Sequence, residues 1–275
     1  MKRKRKITIF SDQDGVLIDK AFHCNYSFCE LGRLLIKNKA ILVPSSDTPA
    51  ERLRFNFQLF TGVKINTVIA ERGGVILHKQ QEVFRLQLPS SEIVKYLQAL
   101  RHLAKSFKAT IYTGDSVTWI RTNKIFKSNA SVIIFDAFRK TSIGYYARRT
   151  NQSGLAMIDD IFYDEFTTEA KKIPRPSFFE VSDYNQTYGI ALISSAQATK
   201  TAGFLNYLRL FGLEDQADDK YYMIGDYKTD IIEDPRMTLL AVGNADDELK
   251  EKATFISNFP QARGMMDCIN YALSL

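Results

Sequence analysis

Six side chains stand out by type and by position: Asp12, Asp14, Ser45, Lys200, Asp226 and Asp230. Asp12 and Asp14 stand in Asp-Gln-Asp-Gly, directly after the apolar run Ile7–Phe10. Ser45 follows Ala-Ile-Leu-Val-Pro, and Asp226 and Asp230 follow Tyr-Tyr-Met-Ile-Gly. Carboxylates gathered at one place repel one another unless a cation lies among them. Hard oxygen donors without Cys or His select Mg²⁺ over zinc. In such a set one carboxylate, Asp12, can attack phosphorus to give an aspartyl-phosphate. A second, Asp14, can protonate the leaving oxygen and then activate water. The Ser45 hydroxyl and the Lys200 ammonium can hold phosphoryl oxygens, and Gly15 lets the chain turn sharply beside them. Taken alone, Asp-x-Asp-Gly is a common turn or part of a calcium loop. The calcium loop fails here because residues 16–20 read Val-Leu-Ile-Asp-Lys, mainly apolar. The combination, ordered along one chain, carries the reading.

Chemistry at these residues requires elements that end beside one another. Residues 7–11 read as a short buried strand, and 40–43 and 66–70 as two more, with helices expected over 26–37 and 50–60. Strand, helix, strand, helix, strand is the pattern of a parallel sheet covered by helices. In such sheets ligands bind beyond the carboxyl ends of the strands, where these acids fall. The middle differs. Residues 75–88 alternate like a hairpin. Residues 91–106 form an amphipathic helix with Ile93, Val94, Leu97, Leu100 and Leu103 as its stripe and Ser90 or Ser91 as its cap. Residues 109–113 and 131–135 are strand-like, and 151–176 is polar, acidic and then basic. The α/β rhythm returns at 200–211 (helix), 221–225, 237–242 and 254–257 (strands) and a final helix. The expected organisation is an α/β core over 1–82 and 191–275, interrupted by an α+β unit over 83–190.

The bulk numbers fit a soluble globular chain. Its 275 residues carry 45% hydrophobic and 25% charged residues and a net charge of +6. Part of that charge is the run Lys-Arg-Lys-Arg-Lys at 2–6, read as a solvated stretch before the first strand, so nucleic acid is not an expected partner. No tract is long and apolar enough to cross a membrane, and the apolar stretch after the basic run is too short for a signal peptide. Three sparse cysteines, Cys24, Cys29 and Cys268, make a poor disulfide framework and suit a reducing, cytoplasmic setting.

These residues resemble the haloacid dehalogenase (HAD) superfamily. "ITIFSDQDGVL" resembles its first motif, Ser45 its second, Lys200 its third and "GDYKTD" (Gly225–Asp230) its fourth. "IAERGGVI" and "AVGNADDELKEKATFIS" resemble segments of Cof-type sugar phosphatases, and Ser11 matches the mannosylphosphoglycerate and sucrose phosphatase branch. The resemblance implies a Rossmann-like HAD core with a parallel sheet and a C2-type cap inserted between the second and third motifs. It implies a Mg²⁺-dependent phosphomonoester hydrolase acting on a sugar phosphate or another small phosphorylated metabolite. By that resemblance Asp12 is nucleophile and metal ligand, and Asp14 is acid/base and offers its backbone carbonyl to the metal. Asp226 is then a ligand, Asp230 ligates or supports it, and Ser45 and Lys200 bind the phosphoryl group. Ser46-Asp47 stands where Gly-Arg is usual, and Arg72 and Thr229 stand where Asn is common. These departures bear on the substrate rather than the core chemistry.

The leaving group is expected to meet the insert. Basic and aromatic residues cluster there at 138–140, 145–149 and 171–175, with Arg148, Arg149 and Arg175 as candidate contacts to a second anionic group. Trp119 is read as packing. Two other functions use the same residues: a phosphomutase, and a non-catalytic binding protein of the same fold.

Overall fold

The computed structural model describes residues 6–20, 22–114, 127–185, 189–216 and 218–275. Lys2 to Arg5 and Trp119 lie outside them. The chain divides into two compact units, Met1–Leu86 with Gln197–Leu275, and Gln87–Ala196. In chain order the first segment runs β1 (Ile7–Ser11), α1 (Leu31–Lys37), β2 (Ala40–Pro44), α2 (Ala50–Thr61), β3 (Thr67–Ala70), β4 (Val75–His78) and β5 (Gln81–Arg85). The second unit runs α3 (Ser90–Ser106), β6 (Thr110–Gly114), β7 (Ser131–Asp136), β8 (Ser142–Thr150), β9 (Ala156–Ile158), α4 (Asp160–Ala170), β10 (Val181–Asn185) and β11 (Ile190–Ser194). The chain returns with α5 (Lys200–Leu210), β12 (Lys220–Gly225), β13 (Met237–Ala241), α6 (Asp247–Lys252), β14 (Phe255–Ile256) and α7 (Gln261–Ser274).

The first unit is built on a five-stranded sheet in the order β14-β13-β12-β1-β2, parallel throughout. Its central strands are buried on both faces, as parallel strands between helices must be. On one face Phe10, Tyr221, Met223, Leu239 and Ala241 pack with Phe204, Tyr207 and Leu208 of α5. Phe10 meets Phe204 and Tyr207 edge-on at 5.5 and 5.3 Å, a geometry that contributes about 0.5–1.5 kcal/mol per pair beyond area burial. α7 contacts β1, β12 and β13, with Met265, Cys268, Ile269 and Ala272 buried.

β3 departs from the expected sheet. It pairs antiparallel with β4 in a separate three-stranded sheet. Beside β2 it forms the Ser45–Ile69 bridge, where the Ser46 N–H donates to the Ile69 carbonyl at 3.0 Å. α1 starts at Leu31, not Tyr26. Residues 26–30 are bend, coil and turn, with the Leu31 N–H donating to the Phe28 carbonyl at 2.9 Å.

In the second unit the sheet runs β10-β11-β8-β7-β6, with β9 on β8. α3 and α4 cover one face, burying Tyr96, Leu100, Tyr145, Phe162 and Phe166 among Ile133, Phe135 and Ile193. Val94 is exposed and Tyr96, Leu100 and Ala104 form the buried stripe of α3, and Pro89 rather than a serine stands at its cap. α4 lies in the stretch read as merely polar. Asp159 caps it, accepting from the Phe162 N–H at 2.8 Å, and Phe162, Phe166 and Ala170 recur at helical spacing on its buried side. The unit's limits fall at 87 and 196 rather than 83 and 190, because β5 pairs with β4 and β11 pairs with β8 and β10. No helix among the described residues is long and apolar enough to cross a membrane.

Candidate active site

Strand register brings the first site residues together. Ser11 aligns with Pro44 on one side and with Ile224 on the other. The next residue of each strand is therefore Asp12, Ser45 and Gly225, with Asp226 one further on. Two backbone bonds fix this level: the Asp12 N–H donates to the Ile224 carbonyl at 2.9 Å, and the Ser45 N–H to the Ser11 carbonyl at 2.8 Å. Asp12, Ser45, Lys200 and Asp230 are buried, and Asp14 and Asp226 are partly buried.

Lys200 arrives from α5. Thr199 caps that helix, its hydroxyl accepting from the Ala202 N–H at 3.0 Å. The helix comes close because two glycines cross there. A Cβ on Gly73, whose φ is +100°, would lie 2.3 Å from the Thr199 carbonyl oxygen. One on Gly203 would lie 2.8 Å from the Gly73 Cα. The Lys200 ammonium then donates to Asp12 Oδ1 at 2.8 Å and to Asp230 Oδ1.

The carboxylates have different surroundings. Asp230 has both oxygens engaged: Oδ1 by Lys200, and Oδ2 by the N–H groups of Asp226 and Tyr227 at 2.9 and 3.1 Å. Asp226 lies over Gly15, where a Cβ would come within 1.9 Å of its Oδ2. Gly15 has φ +80°, so it meets two demands that only glycine satisfies together. The loop is tied down by Asn244, whose Nδ2 donates to the Gly15 carbonyl at 3.0 Å while its Oδ1 accepts from the Gln261 N–H. Asp12, Asp226 and Asp230 each offer an oxygen within 4.8 Å of the others. The Asp14 carboxylate is not in that group. It accepts from Thr48 Oγ1 at 3.2 Å and, at the limit of a hydrogen bond, from Gln13 Nε2 at 3.5 Å.

Burial raises the carboxyl pKa of Asp12 to about 8 and that of Asp226 to about 9. Neighbouring carboxylates add to both rises, and Lys200 opposes them. Burial also raises Asp14, against the bonds from Gln13 and Thr48. Burial works against the Lys200 ammonium, yet Asp12, Asp230 and Asp47 together hold it charged above the usual lysine range. One ammonium, bonded to Asp12 and Asp230, stands against the three neighbouring carboxylates of Asp12, Asp226 and Asp230, an excess of acid, and the donors are all hard oxygens. That donor set fits a divalent cation of the Mg²⁺ type.

All six core residues of the sequence reading thus lie at the carboxyl ends of β1, β2 and β12 or at the start of α5. The three insert arginines do not form one cluster. Arg148 and Arg149 are neighbours on β8 and so lie on opposite faces of its sheet. Arg149 pairs with Asp159 at 3.6 Å and lies 5.9 Å from the Phe162 ring, which ties it to the capped end of α4. Arg148 is buried, 5.6 Å from the Tyr146 ring, and burial lowers its pKa to about 10. Arg175 is exposed in the loop after α4. The reading of the sequence missed Gln13, Thr48, Asn56 and Asn244. Gln13 and Asn244 stand inside segments read for their motifs and Thr48 three residues past Ser45, whereas Asn56 had no such neighbour.

A family model described as haloacid dehalogenase-like hydrolase matches residues 9–269. No curated protein matches the chain. Solved structures match over almost the whole length. A haloacid dehalogenase-like hydrolase from Bacteroides thetaiotaomicron is 14% identical, with 98% of this chain and 99% of that one covered and a TM-score of 0.64. A HAD subclass IIB sugar phosphatase is 16% identical, with 97% of each chain covered and a TM-score of 0.61. A haloacid dehalogenase-like hydrolase from B. subtilis is 12% identical, with 97% and 98% covered and a TM-score of 0.59. At these identities the likeness is one of fold.

Proposed function

We propose that this chain, which belongs to the haloacid dehalogenase-like hydrolase family, hydrolyses small phosphomonoesters with Mg²⁺ through a phosphorylated Asp12. The observation that carries the reading is the Lys200 ammonium bound to both Asp12 and Asp230, with Asp226 beside them over Gly15. Asp12 and Asp226 would hold the cation. Asp230, with both oxygens engaged, acts as brace for Lys200 and for the loop that carries Asp226. When bound, Mg²⁺ supplies charge neutralisation between a phosphate dianion and the carboxylates.

The chain's own residues do the rest. Asp12 Oδ2 forms a bond to phosphorus as the bond to the leaving oxygen breaks, and Asp14 gives that oxygen its proton. Asp14 then takes a proton from water as the water oxygen bonds to phosphorus and the Asp12–phosphorus bond breaks, returning both acids to their starting state. Lys200 holds Asp12 in place and offers positive charge to the phosphoryl oxygens, and the Ser45 position beside Asp12 suits a second contact. Among phosphomonoesters we favour sugar phosphates or related metabolites, because a structural neighbour of matching length is a sugar phosphatase. The free cysteines Cys24, Cys29 and Cys268 support a reducing, cytoplasmic setting.

The test is phosphate release from a phosphomonoester panel by purified protein. We expect Mg²⁺-dependent turnover of at least one member that Asp12→Asn abolishes. Turnover that is equal in wild type and Asp12→Asn, or absent across the panel, would overturn the proposal.

A further inference from the structure

Between the two acids of Asp-Gln-Asp stands Gln13, a polar side chain only 2% exposed. A buried amide is costly unless both of its ends are bonded. Here both are, and the bonds lead in one direction. Asn56, buried on α2, donates from Nδ2 to Gln13 Oε1 at 3.0 Å. That contact turns the Gln13 Nε2 towards Thr48 Oγ1 at 3.0 Å and Asp14 Oδ1 at 3.5 Å. The Thr48 hydroxyl has one proton. Having accepted from Gln13, it presents that proton to Asp14 Oδ2 at 3.2 Å. The run Asn56, Gln13, Thr48, Asp14 is therefore a chain of donors that ends on a single carboxylate and approaches both of its oxygens.

The main chain holds the origin of this relay as firmly. The Gln13 carbonyl accepts from the N–H groups of Leu17 and Ile18 at 2.8 and 3.0 Å, and the side chains of Val16, Leu17 and Ile18 are fully buried. Gln13 has little freedom to swing, so the plane of the Asp14 carboxylate is set from α2. Gln13 and Thr48 approach one lone pair of each oxygen, and each carboxylate oxygen has a second that can carry a transferable proton.

We propose that Gln13, Thr48 and Asn56 are positioning residues that aim the Asp14 carboxylate at the leaving oxygen. This rests on the phosphatase reading above and assigns a function to three residues outside the acid, lysine and serine set. Proton transfer needs the two heavy atoms within hydrogen-bond reach, and a displacement of about 1 Å costs on the order of 10²-fold in rate. The relay therefore matters where the leaving group must be protonated and little where it need not be. A role confined to stability makes no such distinction.

The experiment compares two substrates in single turnover with Mg²⁺ and the full chain: an alkyl phosphate, whose alkoxide leaves only with a proton, and 4-nitrophenyl phosphate, whose phenolate leaves without one. Release of the alcohol or phenol isolates the first step. We expect Gln13→Leu and Thr48→Val to slow the alkyl ester by at least about tenfold relative to the aryl ester, with KM unchanged. Thr48→Ser, which keeps the hydroxyl, restores the wild-type ratio. Equal slowing of both esters, or no slowing, would overturn the inference. If Gln13→Leu does not fold, the Thr48→Val and Thr48→Ser pair decides alone. Wild type that releases nothing from either ester, like Asp12→Asn, brings down the phosphatase reading and this inference with it. An active wild type whose variants ignore the leaving group brings down this inference only.

Discussion

The two units treat charge in opposite ways. In the inserted unit charge is matched locally: the buried Arg139 pairs with Asp136 at 3.6 Å, and the half-exposed Arg149 with Asp159 at the same distance. At the strand ends of the other unit, Lys200 lies against Asp12 and Asp230 with Asp226 close by, and the Asp12 and Asp226 carboxyls are pushed far above the usual range. A sequence that balances charge in one place and leaves an excess in another tolerates the strain where chemistry needs it. The excess is the mark of the site, and the matched pairs are the mark of packing.

The sharpest way to break this comparison is to remove one charge from each side of the excess. Asp12→Asn should lower turnover on the order of 10⁴-fold or more, yet raise the melting temperature of the metal-free protein, because one buried carboxylate is relieved. Lys200→Met should also abolish turnover, but with the opposite stability effect. Removing one partner of a buried pair costs about 3–5 kcal/mol, and each kcal/mol lowers the melting temperature of a chain this size by roughly 2–4 °C. Calorimetry without Mg²⁺ separates the two; a fall in both would mean the carboxylates are not in mutual strain.

Proton linkage sharpens the same point. Asp12 rises from 3.8 to about 8 and Asp226 from 3.8 to about 9 in the folded state. A carboxyl whose folded pKa is raised binds its proton more tightly when folded, so stability is greatest on the acid side and declines as pH rises through that window. The melting temperature of the metal-free protein should fall between about pH 4 and pH 8–9, and Mg²⁺, by favouring the ionised carboxylates, should flatten the profile. Identical profiles with and without Mg²⁺ would contradict the site. Gly15→Ala comes next in size, since its Cβ would collide with Asp226 at a φ of +80°. Backbone strain of that kind costs about 1–3 kcal/mol, and Mg²⁺ dependence should weaken along with turnover. The smallest effect belongs to the inserted unit: Arg149→Ala removes a half-exposed pair, should cost no more than about 1 kcal/mol, and should leave turnover untouched.

Much of the first unit was legible because its central parallel strands are largely apolar runs that stop at an acid or a serine. Residues 7–11, 40–43 and 221–225 could be read as strands with the residues beyond them, which gave the acids and Ser45, while Lys200 opened the helix read over 200–211. Less could be read where side chains decide the backbone. The turn at 26–30 that delays α1 to Leu31 leaves no periodic trace. The cap of α4 lies in a stretch whose polarity hid Phe162 and Phe166. β3 looked like its parallel neighbours, and only its pairing with β4 shows otherwise. Gln13 and Asn56 are 43 positions apart, and nothing in either residue's type announces a buried amide pair. That Arg148 and Arg149 do not share a face has a simple reason: adjacency in sequence is opposition on a strand.

The proposed chemistry begins with Asp12 as nucleophile. Acid quench during steady turnover with Mg²⁺, followed by mass spectrometry of the peptide that carries Asp12 and Asp14, tests it most directly. With 4-nitrophenyl phosphate, whose phenolate leaves without a proton, we predict one phosphoryl group on Asp12, absent from Asp12→Asn and increased when Asp14→Asn blocks the hydrolytic step. A peptide that stays unmodified in wild type and in Asp14→Asn, while phosphate is being released, would contradict it.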